Sequence, residues 1–147
     1  IIHMWMYIKN QVVEKDFHEK NVRKTLNFGH TIGHAIESLC LEKETPILHG
    51  EAVALGMICE THLSFLEGLL PKDDSELIII KIRKYYPYVS IEAFSEAEIL
   101  NLMKNDKKNS QGQINFSLLN GIGKSRFDYL CSEENIITAL HYYQDNR

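Results

Sequence analysis

Apolar residues recur at helical spacing along most of this chain. Met4, Ile8, Val12 and Val13 predict a first helix over residues 1–19, before the polar break DFHEKN. A second helix is expected over 21–42, followed by the loop EKETP with Pro46. A third covers 49–67, with Gly68 as its stop signal. A fourth opens on the acidic turn KDDSE and ends before Pro87. A fifth starts at Ser95, where Glu98 three residues on completes a capping box. The period then shifts to two. QINFSLL alternates, NGIGKS reads as a turn, and RFDYLC can pair back as a hairpin. A last helix begins at Ser132, in SEENIITALHYYQDNR. The pattern predicts a mainly α, multi-helical fold with one small β-hairpin, in a single domain over residues 1–147. With no βαβ alternation and no G-x-G-x-x-G motif, no dinucleotide fold is expected within this chain.

The second helix is unusual in content. KTLNFGHTIGHAIES carries Gly29 and Gly33, each weakening a helix by about 1 kcal/mol relative to alanine. On a continuous helical wheel Arg23, Asn27, His30 and His34 fall within roughly 60° of one another. An ordinary buried stripe would be aliphatic, and an ordinary solvated one would be lysine and glutamate. A guanidinium, an amide and two imidazoles on one narrow face suit a lined pocket instead. His30 alone would read as a satisfied core histidine; the set argues for chemistry. The glycines, four apart, would let another backbone or a ligand approach closely.

A third histidine, His49, opens the next helix in LHGEAVALGM. If the two helices pair antiparallel, His49 approaches the His30 face and the two can serve as Zn²⁺ ligands. His34 is a further candidate ligand, and so is a carboxylate from outside the chain. HTIGH lacks the glutamate of H-E-x-x-H, so metalloprotease chemistry is not supported. His3, His18, His62 and His141 read as ordinary surface or boundary residues. Lys9, Lys107 and Lys108 would each be a solvated lysine on spacing alone; their functional reading is as cations for an anionic ligand.

Composition narrows the classes. The chain has 147 residues, 44% hydrophobic and 24% charged, with a net charge of −4. This is a globular composition that favours neither nucleic acid nor an anionic membrane surface. No run approaches the ~20 apolar residues of a membrane-spanning helix. Cys40, Cys59 and Cys131 have no C-x-x-C spacing and read as buried small hydrophobes in a reducing cytoplasm. The apolar start IIHMWMYI lacks signal-peptide features and begins in mid-pattern, which suggests a piece of a longer protein.

Three blocks in order, VRKTLNFGHTIGHAIES, LHGEAVALGM and NDKKNSQGQINFSLLNGIGKS, resemble the C-terminal half of 3-dehydroquinate synthase, from about Lys9 to Ser125. The resemblance implies the family's α-helical C-terminal domain. It also implies conversion of 3-deoxy-D-arabino-heptulosonate 7-phosphate to 3-dehydroquinate and phosphate, a lyase step of the shikimate pathway to chorismate and the aromatic amino acids. The family uses zinc or cobalt, and NAD⁺ bound by an N-terminal domain not found in this sequence. Carried over by position, His30 and His49 are implied metal ligands. His34 and Glu19 are implied proton-transfer residues. Lys9, Arg23 and Asn27 are implied substrate contacts, together with one of Lys107 and Lys108. A homodimer in the cytoplasm is implied for the full-length protein.

The chain departs from the family in reading Asn21-Val22 where Gly-Leu is common, and in a long 40–48 loop. Without the NAD⁺-binding half, the isolated chain is expected to be inactive and to hold metal weakly. Two alternatives are a sister sugar-phosphate cyclase, making a 2-deoxy-scyllo-inosose, valiolone or aminodehydroquinate ring, and a non-catalytic helical remnant.

Overall fold

The computed structural model describes residues 2–18, 20–105 and 113–147, with Ile2 and Trp5 described by backbone alone. The described elements run α1 (Ile2–Lys15), a 3-10 helix (Val22–Asn27), α2 (His30–Glu42), α3 (His49–Leu66), α4 (Lys72–Arg83) and α5 (Glu96–Asn105). They continue with β1 (Asn115–Leu119), β2 (Ser125–Leu130) and α6 (Glu133–Asp145). The mainly α class with one hairpin is the architecture found. None of the described helices is long and apolar enough to cross a membrane.

α3 is the hub. Its sequence is apolar nearly all round, as a central helix requires, and it packs against α2, α4, α6 and β1. Ile32, Ile36, Leu55 and Leu63 meet Ile99, Phe116, Leu118, Ile136 and Tyr143 in one continuous core. Cys40 and Cys59 are buried in it as free thiols. The hairpin is antiparallel and pairs Phe116 with Tyr129 and Leu118 with Arg126, so β2 carries one extra residue between those pairs. Asp128 sits in this bulge with φ +52°. Three hydroxyls tie the pieces together. Thr31 donates to the Asn115 carbonyl, Ser117 donates to the Lys24 carbonyl, and the Leu119 amide donates to Ser64 Oγ.

The expected caps form. Ser95 and Glu98 make a reciprocal capping box, and Ser132 Oγ accepts from the Asn135 amide. Gly68 ends α3 in the left-handed region at φ +71°.

The expected continuous helix over 21–42 does not form. The chain turns as a 3-10 helix to Asn27, breaks at Phe28-Gly29, and restarts at His30. Gly29 adopts φ +81°. The cause lies on α3. In an unbroken helix the Gly29 and Ile32 amides would donate to carbonyls four residues back. Here both donate to the Glu60 carboxyl, at 2.6 and 3.2 Å. The wheel that put Arg23 and Asn27 in line with His30 and His34 is therefore corrected. Only the two histidines share an α-helical face.

Candidate metal centre

α2 and α3 run antiparallel and very close. A Cβ added to Gly33 would lie 2.8 Å from the Ala52 carbonyl oxygen, and one on Gly56 would collide with the Gly29 carbonyl. The glycines thus serve the close backbone approach that their spacing suggested. Gly56, on the opposite helix, is the partner the sequence reading did not single out.

This crossing brings His30, His34 and His49 together. Their ring centroids are 5.2, 5.6 and 5.7 Å apart. One ligand nitrogen or oxygen from each residue lies within 4.8 Å of the others. His30 and His34 are half-buried, and His49 is exposed. Among the described residues, this is the cluster of three or more histidine, cysteine or acidic side chains that could hold a metal ion.

The neighbours set the chemistry of the rings. His30 Nδ1 lies 3.1 Å from the Phe28 carbonyl oxygen, and His49 Nδ1 lies 3.1 Å from Glu37 Oε2. A carbonyl and a carboxylate only accept, so Nδ1 is the donor in each pair, which directs Nε2 to the role of metal ligand. An outer carboxylate or carbonyl on Nδ1 is the usual support of a metal-ligating histidine. The donor set fits a borderline divalent cation such as Zn²⁺ or Co²⁺, which imidazole nitrogen suits.

Two recesses flank the cluster. One of about 190 Å³ is lined by His30, His49, Val53, Met57 and Tyr86. Another, of about 180 Å³, is lined by Thr31, His34, Ser38 and Met103. A larger cavity of about 370 Å³ lies on the hairpin side, bordered by Lys24, Asn27, Thr31, Ser117 and Asp128. Thr31 borders both of the last two, so a single residue is shared by the cavity that Asn27 lines and the recess beside His34. Lys24 pairs with Asp128 at 2.5 Å, and both line the larger cavity.

The Arg23 guanidinium donates to the Phe17 carbonyl, and its amide donates to Asp16. Lys9 is exposed on α1, which packs against the 3-10 helix. Glu19, Lys107 and Lys108 lie outside the described residues.

Sequence reasoning missed Glu60 and Glu37. Glu60 is fully buried, in the segment MICETH where nothing marks it. Burial pushes its carboxyl up to about 8, opposed by the amides of Gly29, Ile32 and Thr31. Glu37 lies one turn beyond His34, on a surface that reads as solvated.

The profile of the family described as 3-dehydroquinate synthase C-terminal matches residues 1–109. The 3-dehydroquinate synthase of Parabacteroides distasonis is 40% identical over 139 residues, covering 95% of this chain and 39% of the relative. That of Caldanaerobacter subterraneus subsp. tengcongensis is 44% identical over 133 residues, covering 90% and 36%. A solved 2-deoxy-scyllo-inosose synthase, complexed with carbaglucose-6-phosphate, NAD⁺ and Co²⁺, has a TM-score of 0.78 at 24% identity. That match covers 98% of this chain and 39% of the other. The 2-epi-5-epi-valiolone synthase of Streptomyces hygroscopicus subsp. jinggangensis, with NAD⁺ and Zn²⁺ bound, has a TM-score of 0.73 at 22% identity, covering 93% and 37%. These two likenesses establish the shared fold. The chain spans less than two fifths of the length of the curated relatives described here.

Proposed function

We infer that this chain, which belongs to the 3-dehydroquinate synthase C-terminal family, forms the metal- and substrate-binding part of a 3-dehydroquinate synthase. The observation that carries this reading is the convergence of His30, His34 and His49 across the α2–α3 crossing. The reaction is conversion of 3-deoxy-D-arabino-heptulosonate 7-phosphate to 3-dehydroquinate and phosphate, in a cytoplasmic, homodimeric protein.

His30 and His49 would hold the divalent cation, with a carboxylate from the N-terminal half as the third ligand. Bound there, the cation supplies Lewis-acid polarisation of a substrate hydroxyl. His34, in the same cluster, moves the proton at that hydroxyl, and Glu19 assists. Asn27 orients the substrate from the cavity it lines. Lys9, Arg23 and one of Lys107 and Lys108 hold its carboxylate and phosphate, so the substrate stays positioned through successive steps. NAD⁺ belongs to the N-terminal half, so the isolated chain is inactive.

The test uses the intact protein with NAD⁺ and Zn²⁺, following phosphate release and dehydroquinate together, beside His30→Ala. Turnover that disappears in the variant supports the reading. A protein that binds metal but turns over only a sugar phosphate lacking the carboxylate would instead be a sister cyclase, the activity named for the two solved relatives.

A further inference from the structure

Glu60 is the one fully buried carboxyl among the described residues. A buried carboxyl is costly unless its oxygens are satisfied. Here the satisfaction comes from a single source, the first turn of α2. Oε2 accepts from the Gly29 amide at 2.6 Å, and Oε1 accepts from the Ile32 amide at 3.2 Å.

An ordinary helix start is capped by its own Ser, Thr, Asp or Asn. The residue at that position in α2 is Gly29, which makes no side-chain cap. The function passes to a residue 31 positions away, on the helix that carries His49. His49, Ala52, Val53, Gly56 and Glu60 fall on one stripe of α3 at helical spacing. The stripe therefore presents a histidine at one end, small residues at the crossing, and a carboxyl at the other end. That carboxyl grips the residues on either side of His30. Sliding or rotating α2 along α3 would break these hydrogen bonds and move His30 and His34 away from His49.

We propose that Glu60 is a positioning residue of the metal centre, which through the backbone amides at the start of α2 holds His30 and His34 in register with His49. It acts through the backbone, without touching metal or substrate. This rests on the reading of the histidine cluster as a metal site.

The experiment is Co²⁺ titration of the intact protein, read by the visible d–d absorption of the bound ion. Wild type is compared with Glu60→Gln, Glu60→Ala, His30→Ala and Leu63→Ala. Leu63 is fully buried on the same helix and serves as a measure of plain destabilisation. In Glu60→Gln, either amide orientation puts an NH₂ against the Gly29 or Ile32 amide. Expected is a roughly tenfold or greater rise in the Co²⁺ dissociation constant, with an altered band shape, in the Glu60 variants, on the scale of other second-layer changes. Leu63→Ala should bind Co²⁺ nearly as wild type does at a similar loss of melting temperature. Equal affinity and spectrum in Glu60→Gln and Leu63→Ala would overturn the proposal, leaving Glu60 a structural cap. Wild type and His30→Ala binding alike would overturn the metal-site reading itself. If both Glu60 variants fail to fold, hydrogen exchange in wild type decides. Co²⁺ should slow the Gly29 and Ile32 amides more than those of α6, and equal slowing would sink the idea.

Discussion

Glu37 on α2 reaches across to His49 on α3, its Oε2 lying 3.1 Å from His49 Nδ1. One half-buried carboxylate thus orients the most exposed member of the histidine cluster. Glu37→Ala should leave the fold intact and weaken metal binding about tenfold or more, as loss of a ligand's hydrogen-bond partner commonly does. Competition against a chelator of known affinity measures this. Unchanged metal retention would remove Glu37 from the site.

His34 and His30 stand edge to face on successive turns, with centroids 5.2 Å apart. Under the proposed function His34 transfers a proton, so His34→Ala should keep the metal while turnover drops by roughly 10² to 10⁴-fold, the usual contribution of a general acid or base. Metal analysis of the purified variant, run beside its rate, separates the two roles. A variant that loses its metal would make His34 a ligand instead.

Gly33→Ala sets two effects against each other. Alanine gains about 1 kcal/mol of helix propensity. Its Cβ would sit 2.8 Å from the Ala52 carbonyl oxygen, part of a backbone that cannot yield cheaply. Overpacking of this kind costs about 1–3 kcal/mol, so a net loss in melting temperature is expected. Gly50→Ala is the contrast, because nothing lies within 4 Å of its added methyl. It should leave the melting temperature unchanged or raised. The reverse order would mean that α2 and α3 are less tightly joined than described.

Burial raises the Glu60 carboxyl from 4.5 to about 8 in the folded state. Between those values the folded protein keeps a proton that the unfolded chain has released, so stability falls as pH rises through that window. Below pH 4.5 both states are protonated and the contribution is complete. Glu60→Gln has no such ionisation. Wild-type stability minus that of Glu60→Gln should therefore decline, by an amount on the order of a few kcal/mol, from pH 5 to pH 8. Urea midpoints of both proteins across that range test it, and a flat difference would show that the carboxyl is ionised throughout.

Much of this arrangement was legible in the residues. Local signals were reliable where the interaction was local: Ser95 with Glu98, Ser132 with Asn135, and the alternation of the hairpin. The three histidines were readable too, because i, i+4 spacing and an antiparallel pairing suffice to join them. What escaped was set by long-range contacts. RKTLNFGH holds one local break signal, Gly29, whose left-handed backbone lets the chain turn, but the carboxyl that holds the break is on another helix. Arg23 and Asn27 were therefore put on a face that the folded chain interrupts. Glu60 itself looks like any charged residue in its segment, and only the partners it finds across the interface reveal it.

The break at Gly29 also bears on transplantation. The three imidazoles owe their meeting to where two main chains cross, and a glycine-lined crossing is a property of backbones. Installing three histidines at matched positions on another helical pair would reproduce the ligands without the geometry. A protein engineer borrowing this centre would have to carry over the interrupted turn, Gly33, Gly56 and the buried acid as a unit.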